Sequence, residues 1–173
     1  MMMILWIMMT YGNKLIKRVM WLTYDELLIE ADELGIIVKE LNLKTRDGHC
    51  KGNRIAINKD LSNYEKACVL AEELGHYYLT VGDITNQNNI NNRKQELLAR
   101  QWGYNRHIGL LGLVNAFEHG CKNRYEIAEF LNVTLEYLNE AIEYYTSKYG
   151  IMYRIDNYII YFLPNFYIGK FFK

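Results

Sequence analysis

The sequence predicts an α+β domain: a small β-sheet packed on a helix, then a helical region, then a terminal β-hairpin. Three observations carry this. Two capping boxes, Thr23-x-x-Glu26 and Ser62-x-x-Glu65, each open a run whose apolar residues recur with helical spacing. Two short runs, "IIVKELNL" and "RIAIN", alternate as half-buried strands do. The C-terminal half strings together periodic segments closed by Gly120 and Gly150, and alternation returns only in its last stretch.

The elements follow in order. "TYDELLIEADELG" is a helix, capped by Thr23 and closed by Gly35, with Leu27, Leu28, Ala31 and Leu34 as its apolar stripe. "IIVKELNL" begins β-branched and then alternates, so it is a strand. "KTRDGHCKGN" contains two turn dipeptides, Asp47-Gly48 and Gly52-Asn53, and is expected to be a turn. "RIAIN" follows as a strand, in a hairpin or meander. The Ser62 box opens a helix expected to run through Tyr78 and stop near Gly82. "DITNQNNINN" is a polar loop, and "RKQELLARQWGYNRH" the next helix. "LLGLVNAFEHG", "RYEIAEFLN" and "TLEYLNEAIEYYTSKYG" are three more. "IMYRIDNYIIYFLPNF" forms two strands around a turn at Asp156-Asn157.

These elements mark one domain over residues 22–163, with a tail over 164–173 and an extension over 1–21. The apolar run of the extension, Met1 to Met9, is too short to span a bilayer. Lys14, Lys17 and Arg18 follow that run, the reverse of a signal peptide. A peripheral amphipathic anchor and an early upstream start are the two readings. The second is preferred, because an ordinary domain begins near Trp21.

Bulk numbers exclude some functions. A chain of 173 residues suits one domain. Lys+Arg and Asp+Glu both number 20, so no net charge draws the protein to nucleic acid or an anionic membrane. The three cysteines, Cys50, Cys68 and Cys121, are widely spaced and form no CxxC. They suit neither a disulfide framework nor a thiolate zinc site, and read as free thiols in a reducing cytoplasm.

The stretch "VLAEELGHYYL", Val69 to Leu79, holds the chemistry. Residues four apart on a helix share a face, and Glu72 and His76 are so placed. Glu73 lies about 100° further round. In an H-E-x-x-H helix the same spacing gives two metal ligands and a carboxylate aimed at the metal-bound water. Here Glu72 replaces the first histidine. A carboxylate can ligate zinc in place of an imidazole, though it leaves the metal a weaker Lewis acid. A catalytic zinc needs a third protein ligand. Glu96 is the best candidate, because a short loop should leave the two helices antiparallel and let Glu96 face His76. The motif alone also occurs on solvated helices, so both readings stand at this point. Gly75 beside His76 favours function, because glycine in a helix interior costs about 1 kcal/mol and its smallness must serve something.

The surrounding text resembles the ImmA/IrrE family of zinc metallopeptidases, in its phage and mobile-element form. "EKACVLAEELGHYYLTVGDI" is similar to the family's metal-site helix, and "QELLARQWGYNRHI" to the helix with the third ligand. "TYDELLIEADELGIIV", "NRYEIAEFLNVTLEYLNEAIEYYTSKYG" and "YRIDNYIIYF" resemble its start, its C-terminal helices and its last strands. The likeness runs from Leu22 to Phe162. It implies a zincin-like (gluzincin-like) domain whose sheet packs on the metal-site helix, with Zn2+ as cofactor. Carried over, Glu73 matches the general base, His76 the second histidine and Glu96 the downstream glutamate. Glu72 departs from the pattern and is read as a ligand exchange. Family members typically cleave a partner repressor, so the resemblance implies an Xre-type repressor as the protein substrate.

Three other assignments stay open on the sequence. A degenerate member would bind a partner without cutting it. "NRYEIAEFLNVTLEYLNEAIEYY" has helix-turn-helix rhythm, but Glu136, Glu140 and Glu143 would face DNA phosphates with only Lys148 in balance. Tyr125, Ile127, Phe130, Leu131, Leu135, Leu138 and Ile142 are therefore expected in the core. His49 and Cys50 can ligate a metal but read better as exposed turn residues. His119 beside Gly120 suits a helix C-terminus. "RIAIN" is expected to be the edge strand that takes the substrate backbone, and the oxyanion donor is left open among the tyrosines and His107.

Overall fold

The structure, a computed structural model, describes residues 22–79 and 90–171. The expectations for residues 1–21, for the helix stop near Gly82 and for most of the polar loop lie outside the described residues. The elements are α1 (Tyr24–Glu33), β1 (Ile37–Leu41), β2 (Gly48–Lys51), β3 (Arg54–Asn58), α2 (Asn63–Leu79), α3 (Ile90–His107), α4 (Gly109–His119), α5 (Arg124–Phe130), α6 (Leu135–Tyr149), β4 (Met152–Ile155), β5 (Tyr158–Tyr161) and β6 (Tyr167–Lys170).

The capping boxes form as expected. The Thr23 hydroxyl accepts from the Glu26 amide while the Glu26 carboxylate accepts from the Thr23 amide at 2.8 Å. Ser62 and Glu65 reciprocate in the same way at the head of α2. Each pair satisfies amides that a helix start leaves without partners. Gly120 and Gly150 close α4 and α6 with positive φ, where a side chain would be strained.

The strands form two three-stranded sheets. In the first, β3 is central, parallel to β1 and antiparallel to β2. This corrects two expectations. "KTRDGHCKGN" is not one turn: Gly48–Lys51 pairs with β3 across a tight turn at Gly52-Asn53. "RIAIN" is not an edge strand either. Ile55 and Ile57 are buried, and a strand with two core-facing isoleucines belongs in the middle. The edges go to β1, with Lys39 and Glu40, and to β2, with His49 and Lys51, as charged residues suit a sheet edge. The second sheet is an antiparallel meander β4-β5-β6. The expected terminal hairpin is present, and β6 adds a third strand where only a tail was expected.

Two apolar clusters hold the fold. One joins α1, the first sheet and α2 through Leu27, Ile55, Ile57, Leu70 and Leu74. The other joins α3 to α6 and the second sheet through Leu113, Leu131, Leu138, Tyr145 and Ile160. Most of the expected α5–α6 core residues pack there, but Tyr125, in the first turn of α5, is 72% exposed. Glu140 does not face outward as a DNA-facing residue would: it accepts a hydrogen bond from Tyr104 at 2.7 Å. No helix among the described residues is long and apolar enough to cross a membrane.

Candidate metal centre

The site begins with four small residues. Ala71 and Gly75 lie one turn apart on α2, and Ala99 and Gly103 one turn apart on α3. A Cβ on Gly75 would strike the carbonyl of Ala99, and one on Gly103 would come within 3.3 Å of the carbonyl of Ala71. The two backbones therefore touch, and Gly75 is used for the close approach that its cost suggested. The helices run antiparallel, since the step from 71 to 75 on α2 matches the step from 103 to 99 on α3.

A polar ladder lies beside this stripe. His76 Nε2 faces Glu96 Oε2 at 3.4 Å. One turn away, Arg100 Nε faces Glu72 Oε1 at 3.4 Å, and it also lies 3.7 Å from Glu96 Oε1. Donor atoms of Glu72, His76 and Glu96 all fall within 4.8 Å of one another. Among the described residues, no other group of three His, Cys, Asp or Glu side chains converges in this way.

Glu73 sits beside these three and is buried under β2. A Cβ on Gly48 would come within 2.5 Å of Glu73 Oε1, so the strand lies directly on the carboxyl group. The backbone N–H of Cys50 donates to that carboxyl. Burial raises the Glu73 pKa to about 8, and the charges of Glu72 and Glu96 add to the rise. Glu72 is pushed up to about 7, again chiefly by burial; Arg100 opposes the shift and Glu96 reinforces it. Burial lowers the pKa of His76, against the pull of Glu96. Burial and mutual repulsion disfavour charging these carboxyl groups together, a cost that a bound cation would offset. Two carboxylates and one imidazole form a donor set that zinc accepts, so the residues present fit a divalent metal.

Arg100 was not foreseen. The signal was available, because Arg100 follows Glu96 by four residues and Tyr104 follows Arg100 by four, all on one face. Its Nε is buried and makes no hydrogen bond of good geometry, although Glu72 lies close. Burial opposes its charge, but Glu72, Tyr104, Glu140 and Glu96 together raise its pKa.

The remaining candidate side chains do not join the donor set. His49 leans on Arg46, with Nη1 to Nδ1 at 3.1 Å. The Cys50 thiol is raised to about 11 by burial and by Glu73, so it is no ready thiolate ligand. His107 is buried at the end of α3, its ring 5.9 Å from that of Tyr137, and burial lowers its pKa to about 4. It is not among the converging donors. His119 ends α4, as expected, and stacks on Phe130 at 4.4 Å. The three cysteines are free.

The family model described as "IrrE N-terminal-like domain", Peptidase_M78, matches residues 31–143, from within α1 to within α6. No curated protein and no solved structure matches the chain. The matched span exceeds half the chain and includes α2, α3 and the whole ladder: the chain belongs to the IrrE N-terminal-like family of peptidases.

Proposed function

We propose that the protein is a zinc-dependent endopeptidase acting in the cytoplasm on an Xre-type repressor of a phage or mobile element. The observation that carries this is the convergence of Glu72, His76 and Glu96 beside the buried carboxyl group of Glu73, in a member of a peptidase family. Glu72, His76 and Glu96 would hold the metal. Bound zinc would polarise the scissile carbonyl and acidify a water molecule. Glu73 takes the proton of the attacking water and returns it to the leaving amine. The Cys50 N–H and the overlying Gly48 fix the carboxyl group for this work. With β3 central, the substrate backbone adds to an edge, and β2 is the edge strand that lies on α2.

The test is metal analysis together with a cleavage assay. Purified protein should hold about one zinc per chain. Glu73→Gln should keep the metal and lose cleavage of a co-expressed Xre-type repressor; full cleavage by that variant would sink the mechanism.

A second reading has its own support. The Arg100–Glu72 pair gives one acidic ligand a cationic partner without any metal. A degenerate member that binds a repressor without cutting it would use the ladder in this form. Protein that takes up no metal when zinc is supplied would favour that reading, whereas tighter zinc binding by Glu72→His would place position 72 at the metal.

A further inference from the structure

We propose that Arg100 is a displaceable internal counter-cation: it holds Glu72 and Glu96 in the absence of metal, and it withdraws toward Glu140 when the ion enters. The inference rests on the metal-centre reading above. Arg100 Nε lies between the two acidic donors, 3.4 Å from Glu72 and 3.7 Å from Glu96. A guanidinium locked onto a carboxylate forms short, parallel hydrogen bonds, typically near 2.8 Å. Nε of Arg100 makes none, so the contact is a charge pairing that leaves the group free to shift. The side chain is 43% exposed, which gives it room to move.

A second acceptor waits on α6. Glu140 lies within electrostatic reach of both Arg100 and Glu72. Its Oε2 is held by Tyr104 Oη at 2.7 Å, which orients the carboxylate. A cation bound by Glu72 and Glu96 would repel Arg100, and Glu140 is the nearby anion outside the donor set that can receive it. An ordinary structural ion pair and a displaceable one make opposite predictions. Removing Arg100 from the first loosens the donor set and weakens metal binding, whereas removing it from the second relieves competition and strengthens binding.

Zinc affinity of the full chain, read by competition with a chromophoric chelator, separates these, with metal-free melting temperature as a second readout. Arg100→Gln should bind zinc about tenfold tighter or more, as expected when a like charge leaves a partly buried site, and its metal-free form should melt lower. Arg100→Lys should stay near the parent. Glu140→Gln should weaken zinc binding several-fold, and that loss should vanish when Arg100 is also replaced. Unchanged or weaker binding by Arg100→Gln overturns the proposal, as does a Glu140→Gln effect that persists without Arg100. If Arg100→Gln does not fold, Arg100→Met takes its place in both the single and the double variant. Equal zinc binding by every variant defeats this inference only; no binding by any of them defeats the metal centre and this inference with it.

Discussion

The two stripes on the α2–α3 seam are neighbours and opposite in tolerance. Ala71, Gly75, Ala99 and Gly103 bring the backbones into contact, with no space for another atom. Glu72, His76, Glu96 and Arg100 meet at 3.4 to 3.7 Å through partly exposed side chains. The first stripe is governed by steric fit, where a methyl group matters. The second is governed by charge balance, where the shape survives but the affinity changes. The candidate metal centre is thus positioned by residues with no chemistry of their own.

The largest expected effect tests the small stripe. At an open helix position Gly→Ala stabilises by about 1 kcal/mol. Gly75→Ala should instead destabilise by about 1–3 kcal/mol, because the methyl group meets the Ala99 backbone. A raised urea midpoint in that variant would break the comparison. The next effect falls on the polar stripe: His76→Ala should take zinc content from about one per chain to none, while the metal-free urea midpoint moves little.

Charge balance also predicts a pH dependence for the metal-free protein. Glu73 is raised from 4.5 in the free side chain to about 8 in the fold, and Glu72 to about 7. A raised carboxyl binds more protons folded than unfolded. Its stabilisation is complete below pH 4.5 and is lost as pH rises through the folded value. Stability should therefore fall between pH 6.5 and 8.5, by up to about 1.4 kcal/mol per pH unit for each proton released, and melting temperature should fall with it. Glu73→Gln should flatten that slope. His76 and His107 have lowered values and act with the opposite sign, but below the ordinary histidine range, which leaves this window clear. The smallest effect lies off the seam. Arg106 on α3 holds Glu30 on α1 at 2.6 Å from an exposed position, and Arg106→Ala should cost about 0.5–1 kcal/mol by urea titration.

Much of this was legible in the sequence, in proportion to how local each signal is. The capping boxes announced α1 and α2 because their bonds span three residues. The meeting of Glu72, His76 and Glu96 followed from helical spacing and an antiparallel return. Strand β2 was missed because Gly48 looked like part of a turn; glycine inside a strand can instead mark close approach, here by Glu73. Tyr125 was expected in the core from helical spacing, which does not tell which end of a short helix projects into solvent. Glu140 was read only as a charge that argues against DNA binding, because its partner Tyr104 is 36 residues away and no local pattern connects them. The rank of β3 as central strand likewise depends on a parallel pairing with β1 that alternation cannot reveal.

The register of the seam has a consequence for engineering. Ala71 and Gly75 meet Ala99 and Gly103 backbone to backbone, so the seam itself holds Glu96 in register with His76. Dividing the protein between α2 and α3 would test that hold. Pieces that reunite would rebuild the same row of donors, and zinc capture would announce their reunion.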